Sequence, residues 1–180
     1  ERNEACQNNF LQFVRRLWPE FITGRHHEII AEKLERVAKG ELKRLIINMA
    51  PRHTKSEFAS FLFPAWMMGR KPNMKIIQAT HTTELAVNFG RKTKNMIDSD
   101  DYKEIFPEVK LAADSKASGR WDTSAGGMYY AVGVGSNLAG RGGDLVIIDD
   151  PHSEQDAQQG AYNADVFDRV YEWYTSGPRQ

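Results

Sequence analysis

Apolar residues recur along the chain in two alternating rhythms. Helical spacing runs over residues 10–18, breaks over 19–25 and resumes over 27–38. There Ile29, Ile30, Leu34 and Val37 form one stripe, and Gly40 stops it. Leu45-Ile46-Ile47 is a short apolar run that predicts a buried strand. A loop over 49–54 follows, then a helix predicted from Lys55 to about Met68, ended by Gly69 and Pro72. Residues 75–79 read as the next strand. Residues 83–97 read as the next helix, with Leu85, Val87, Phe89 and Met96 on its apolar side. Residues 98–118 are polar and read as loop. Trp121 to Thr123 and the run 128–134 flank Gly126-Gly127, a hairpin signal. A glycine-rich connection over 133–143 leads to Leu145-Val146-Ile147-Ile148, apolar throughout and partly β-branched, as in a fully buried strand. It ends on Asp149-Asp150-Pro151. Residues 161–174 are again helical in spacing.

Strand and helix alternate, which predicts an α/β fold with a mostly parallel central sheet flanked by helices. No linker or repeat divides the chain, so one domain over 1–180 is expected. The start at Glu1 and the stop at Gln180 point to a piece of something longer.

Composition narrows the function. Of 180 residues, 41% are hydrophobic and 11% aromatic, enough for a sizeable core. The 24 Lys and Arg balance 24 Asp and Glu, which excludes steering onto nucleic acid by net charge, though not by a local basic face. Arg91, Lys92 and Lys94 form the clearest basic run, facing either DNA phosphates or plain solvent. The single cysteine, Cys6, excludes a disulfide framework and a cysteine-based zinc site, and fits a reducing compartment. No apolar run approaches the roughly 20 residues of a membrane span, and no signal peptide opens the chain.

The chemistry concentrates at two strand ends. A buried strand running into a tight loop, with Lys55-Ser56 opening a helix, is the context of a phosphate-binding loop. Backbone N–H groups at the helix start point at the anion and the helix dipole adds to them. Lys55 would bridge the β- and γ-phosphates of ATP, and the Ser56 hydroxyl would ligate Mg²⁺. Met49 and Thr54 stand where such loops usually carry glycine, and a β-branched Thr54 meets an unfavourable backbone geometry there. The second end is Asp149-Asp150. Acidic residues at the carboxyl end of a buried strand sit at the mouth of a parallel sheet. Asp149 is the natural Mg²⁺ partner, and Asp150 is placed to orient and deprotonate the attacking water.

In these residues the chain resembles the large terminase subunits of tailed bacteriophages. Met49 to Ser56, MAPRHTKS, is similar to their divergent Walker A loop, often of the type Pro-Pro-Arg-His-Gly-Lys-Ser. Tyr102 to Pro107 (YKEIFP), Gly126 to Tyr130 (GGMYY), Gly140 to Asp144 (GRGGD) and Leu145 to Pro151 follow in the family's order. The resemblance runs from about Phe21 to the C-terminus. It implies an ASCE-type, RecA-like P-loop ATPase that drives viral double-stranded DNA into a procapsid. It also implies a homo-oligomeric ring, working in the host cytoplasm at the portal vertex, with portal protein and small terminase subunit as partners and no membrane. The family's nuclease domain has no room in this chain, and its coupling-motif strand is expected beyond Gln180. Two departures stand out: Thr54 in place of glycine, and Asp150 where many relatives carry Glu.

The loop residues Ala50, Pro51, Arg52, His53, Thr54, Lys55 and Ser56 are the expected nucleotide-binding set. The resemblance gives Arg52 a role on the γ-phosphate, which a planar guanidinium suits. It places His26 and His27 where terminases bind adenine, with His26 the candidate; a helix-start histidine without a ligand is the other reading. Arg141, flanked by glycines, fits an arginine finger acting on a neighbouring subunit, or a loop arginine meeting DNA or solvent. His81 and Thr80 face the same mouth, as a polar sensor or a solvated cap. A metal cluster of His152 with Asp149 and Asp150 would be poor zinc geometry. A P-loop module that binds DNA or capsid proteins without turnover is the main alternative to an ATPase, and a small-molecule phosphotransferase is a third reading. The motifs together predict that 45–48 and 145–148 are parallel strands of one sheet, delivering Lys55 and Asp149 to one mouth.

Overall fold

The computed structural model describes residues 2–115, 117–138 and 140–179. The terminal residues Glu1 and Gln180, on which the expectation of an excised piece rests, lie outside the described residues, as do Lys116 and Ala139 in the predicted loops. The fold is mixed α/β, with a four-stranded open sheet, mostly parallel, flanked by helices. Among the described residues no helix is long and apolar enough to cross a membrane.

The sheet has the order β2-β3-β1-β4, from β1 (Lys75–Thr80), β2 (Arg120–Asp122), β3 (Met128–Gly133) and β4 (Leu145–Ile148). β1 is its centre. Gln78 lies opposite Ala131 of β3 on one edge and Ile147 of β4 on the other, both in parallel register. After Lys75 every residue of β1 is buried, the polar Gln78 and Thr80 included, as in a strand covered on both faces. β2 pairs antiparallel with β3 as the expected hairpin, and Gly126 takes the positive φ of 84° at its turn. The glycine-rich segment carries the chain from β3 past β1 to β4. Gly143 passes so close to Ile77 that a Cβ would lie 3.1 Å from its side chain.

Three helices open the chain: α1 (Arg2–Asn8), α2 (Phe10–Leu17) and α3 (Arg25–Ala38). Asn9 caps α2, its Oδ1 accepting from Gln12 N–H at 2.9 Å. The predicted helix from Lys55 onward forms, but its second part is a π-helical stretch, Glu57–Leu62, that passes into α4 (Phe63–Arg70). Pro64 accounts for the wide turn. It has no N–H for the Ser60 carbonyl, and its ring would press on that carbonyl in a regular helix. This helix is the hub of the core. Phe58 and Phe63 meet Phe10 edge to face at 5.5 and 5.6 Å. Trp66 Nε1–H donates to the Cys6 carbonyl, and the Tyr102 hydroxyl to the Ala65 carbonyl. α5 (Thr83–Asp98), capped by Thr82, lies against β1 and β3.

Three expectations change. The run 98–118 is not all loop: α6 (Asp100–Ile105), capped by Ser99, forms within it because Tyr102 and Ile105 reach the core. The predicted helix over 161–174 forms as α8 (Asp165–Ser176) with a later start, and a further helix, α7 (Glu154–Gly160), precedes it across a turn. The third change matters most. Residues 45–48 are not a strand. Burial does alternate, with Leu45, Ile47 and Met49 against the core and Ile46 85% exposed, so the segment is extended with one face inward. It makes no ladder with β4, which among the described strands pairs with β1 alone. The apolar pattern reports the inward face, and a pattern of that kind carries no information on which backbone pairs with which.

Gly90 of α5 sits where a Cβ would lie 2.5 Å from the Ser118 carbonyl oxygen. Alanine gains about 1 kcal/mol in helix propensity, but overpacking against backbone costs about 1–3 kcal/mol. Gly90→Ala should therefore lower the urea midpoint; a raised midpoint would show that the helix moves off the sheet freely.

Candidate active site

The loop after the extended segment has an unusual backbone. Arg52 and Thr54 both have φ of 64°, in the left-handed region, with His53 between them on the ordinary side. Met49 does not adopt a positive φ, so the first of the two missing glycines is not needed here. The second is: Thr54 takes the geometry that its β-branched side chain disfavours. Among the described residues no turn or loop backbone hydrogen bond is donated from Lys43 to Glu57. The next, Phe58 N–H to the Thr54 carbonyl at 3.0 Å, opens the helix. The N–H groups of the loop therefore remain available at a helix start.

Lys55 crosses from this loop to the end of β4. Its Nζ donates to Asp150 Oδ1 at 2.6 Å, 95 residues away in sequence, and lies 3.4 Å from Asp149 Oδ1. Asp149 is buried and Asp150 is exposed. Partial burial is the largest single influence on Lys55 and disfavours its charge, but the bond to Asp150 and the two carboxylate charges outweigh it and raise its pKa. Asp149 is held from below: its Oδ2 accepts from Ser60 Oγ at 2.8 Å, and its N–H donates to the Ala79 carbonyl at 2.9 Å. Asp150 takes a φ of 43°, which aspartate tolerates, and its carbonyl accepts from both the N–H and the Nδ1–H of His81.

Sequence reasoning missed Ser60. The signal was present, since Ser60 is the lone polar residue of the apolar run from Phe58 to Met68 and is fully buried. It named His27 beside His26 but made His26 the candidate, and so missed the contact His27 makes with the loop. His26 is exposed, with its ring 3.8 Å from that of His27 and 6.1 Å from that of His53. His27 is the buried one, and its Nε2 lies 2.7 Å from Thr54 Oγ1.

The remaining candidates are spread. Arg52, His53, Ala50 and Pro51 are exposed on the loop, and Ser56 is half-buried. Arg141 is not at the mouth. Its guanidinium stacks over Tyr130, 4.2 Å from the ring centroid. Tyr130 is level with Ile77 and Val146, three residues short of Asp149 along β4. The basic run on α5 is engaged within the fold: Lys92 pairs with Glu57 at 2.9 Å, and Lys94 donates to the Ser115 carbonyl. His152 packs edge to face on Phe167 rather than joining the aspartates.

Asp149 and Asp150 offer oxygen donors, and an ammonium sits against both carboxylates. Among the described residues no group of three or more His, Cys, Asp or Glu side chains is gathered that could hold a metal ion. No protein-family model and no curated protein matches the sequence, so the residues themselves carry the functional reading.

Two outcomes follow from this geometry. Ser60→Ala removes the hydroxyl bonded to the buried Asp149 carboxylate and should cost about 1–3 kcal/mol of stability, read by urea unfolding. An unchanged midpoint would mean that water or Lys55 replaces the hydroxyl without loss. The second concerns acid. Burial first, then the charges of His26 and His53, lower the pKa of His27 from its ordinary 6.5. The unfolded chain thus binds that proton more readily than the folded one. Stability carried by neutral His27 is complete above about pH 6.5 and is lost as pH falls through its folded pKa. The urea midpoint of wild type should drop from about pH 7 to about pH 5 more steeply than that of His27→Gln.

Proposed function

We propose that this chain is a P-loop ATPase domain of the terminase type, coupling ATP hydrolysis to the movement of double-stranded DNA. One observation carries the reading: Lys55, at the start of the loop-borne helix, meets Asp149 and Asp150 at the end of β4. A lysine and two aspartates distant in sequence, brought to the carboxyl end of a parallel sheet, are the pairing that a bound nucleoside triphosphate and its metal require. Positive φ at Arg52 and Thr54 supports it, because alternation of this kind turns successive N–H groups to one side and forms an anion nest.

In this reading the phosphates of ATP draw Lys55 off Asp150. The loop N–H groups of residues 50–56 and Lys55 hold the β- and γ-phosphates, and Arg52 meets the γ-phosphate from the exposed side. Asp149 and Ser56 would hold Mg²⁺, which supplies charge neutralisation on the phosphate oxygens. Asp150, released, accepts a proton from the water that attacks the γ-phosphorus, while the bond to the β–γ bridging oxygen breaks and ADP leaves. His26, exposed beside the loop, is placed to meet the adenine. Arg141, stacked away from the mouth, has its role on a neighbouring subunit of a ring rather than in its own site. The ASCE-type topology, the portal and small-subunit partners and the place at the procapsid vertex belong to the same proposal, and rest on the motif resemblance.

Lys55→Ala tests it. The side chain is 22% exposed and its Nζ pairs with the two aspartates, and a urea midpoint taken alongside checks that the fold persists. Turnover of ATP by the full-length protein, assembled on its DNA and portal, should fall by at least about 100-fold, as expected when a phosphate-charge partner is removed. Turnover near that of the parent would overturn the assignment. Tight ATP binding without turnover in the assembled parent would favour the binding-module reading.

A further inference from the structure

Thr54 has a problem that glycine would not have. A β-branched residue at φ 64° stores about 1–3 kcal/mol of backbone strain and persists only when its surroundings hold it. The structure shows what holds it. His27 Nδ1 accepts from the Gly24 N–H at 2.9 Å, which leaves the ring proton on Nε2. Nε2–H then donates to Thr54 Oγ1 at 2.7 Å, and the Thr54 hydroxyl donates onward to the His53 carbonyl at 2.6 Å. The two middle groups, the His27 ring and the Thr54 hydroxyl, each accept one bond and donate one, all in one direction from the start of α3 to the loop.

The ring that makes the link has no freedom to turn away. His27 is 6% exposed, stacked on Phe58 at 5.1 Å and met edge-on by Phe21 at 4.7 Å. Phe58 belongs to the helix that Lys55 opens, so the ring touches the loop and the helix after it. The titratable groups facing His27 are His26 and His53. The one proton of the Thr54 hydroxyl goes to the His53 carbonyl, so it has none left to donate to a phosphate oxygen; it is a handle.

We infer that His27 is a positioning residue that clamps the Thr54 hydroxyl and so keeps the phosphate loop in its anion-receiving shape without the usual glycine. The inference rests on the nucleotide-binding reading for its purpose, and on the hydrogen-bond chain alone for its geometry. It predicts a coupling that a merely structural histidine would not give. Once residue 54 is glycine, nothing needs clamping and His27 becomes dispensable to the loop.

The test is a double-mutant cycle over His27→Ala and Thr54→Gly, with His27→Gln as the conservative variant. A fluorescent ATP analogue with Mg²⁺ reads affinity, urea unfolding reads stability, and ¹⁵N chemical shifts of the imidazole read the tautomer. His27→Ala should weaken analogue binding about five- to tenfold in the wild-type background, the worth of one lost hydrogen bond, and less than about twofold in the Thr54→Gly background. His27→Gln, whose side-chain N–H reaches where Nε2–H does, should recover most of the affinity. The His27 shifts should show Nε2–H with Nδ1 unprotonated. Equal losses in both backgrounds, or an Nδ1–H tautomer, would overturn the clamp. If wild type binds no analogue, the nucleotide reading fails, and stability decides the clamp separately. Coupled losses in urea midpoint uphold it, and additive losses refute it. If His27→Ala does not fold, the tautomer and the His27→Gln arm of the cycle decide the clamp in its place.

Discussion

β1 is hydrogen-bonded along both edges, and that double pairing positions everything at the sheet's carboxyl end. Its register sets Ala79 beside Ile148, so the chain leaves β4 at Asp149 level with Thr80 and His81. The backbone then closes the join twice, Asp149 N–H to the Ala79 carbonyl and His81 N–H to the Asp150 carbonyl. A slip of one residue would turn Asp149 to the other face and leave Ser60 without its acceptor. The acidic pair is therefore placed by backbone hydrogen bonds between parallel strands, before any side chain is considered.

Against that fixed point the loop is held by weaker means. It has two positive-φ residues, and among the described residues no turn or loop backbone bond is donated from Lys43 to Glu57. Three side-chain links keep it in place: Lys55 to the aspartates, Ser60 to Asp149 and His27 to Thr54. Lys55 is charged on both counts that matter, since it is bonded to one carboxylate and near another. The first of these links faces the mouth, while Ser60 to Asp149 is buried and His27 to Thr54 part-buried. A loop with exposed N–H groups, held by a buried frame and latched by one exchangeable ion pair, is suited to anion exchange.

The open side of the molecule has a physical logic too. Among the described strands β4 pairs with β1 alone, and the extended residues 45–50 turn one face to the core without joining the sheet. Both turn apolar side chains toward the core but stay half-buried, and both leave backbone groups outside any ladder, the arrangement that makes Ile46 an exposed large apolar residue.

Much of this was legible from one-dimensional patterns. The strands at 75–79, 128–134 and 145–148, the hairpin at Gly126-Gly127 and the helix over 83–97 follow from local periodicity and from where polar residues interrupt it, whereas the meeting of Lys55 with Asp149-Asp150 is expected from the two motifs together and not from periodicity. Those signals are local because side-chain period and turn chemistry are properties of a few consecutive residues. What the tertiary structure decided depends on partners remote in sequence. Residues 45–48 have a strand's alternation, but whether they join a ladder depends on an edge nearly a hundred residues away. Ser60 is a polar residue in an apolar helix until Asp149 arrives beneath it. Of two adjacent histidines, packing against Phe21 and Phe58 selected His27 to meet Thr54, and stacking on Tyr130 took Arg141 away from the mouth. Burial and hydrogen-bond direction arise only when elements pack, so no reading of spacing alone distinguishes them.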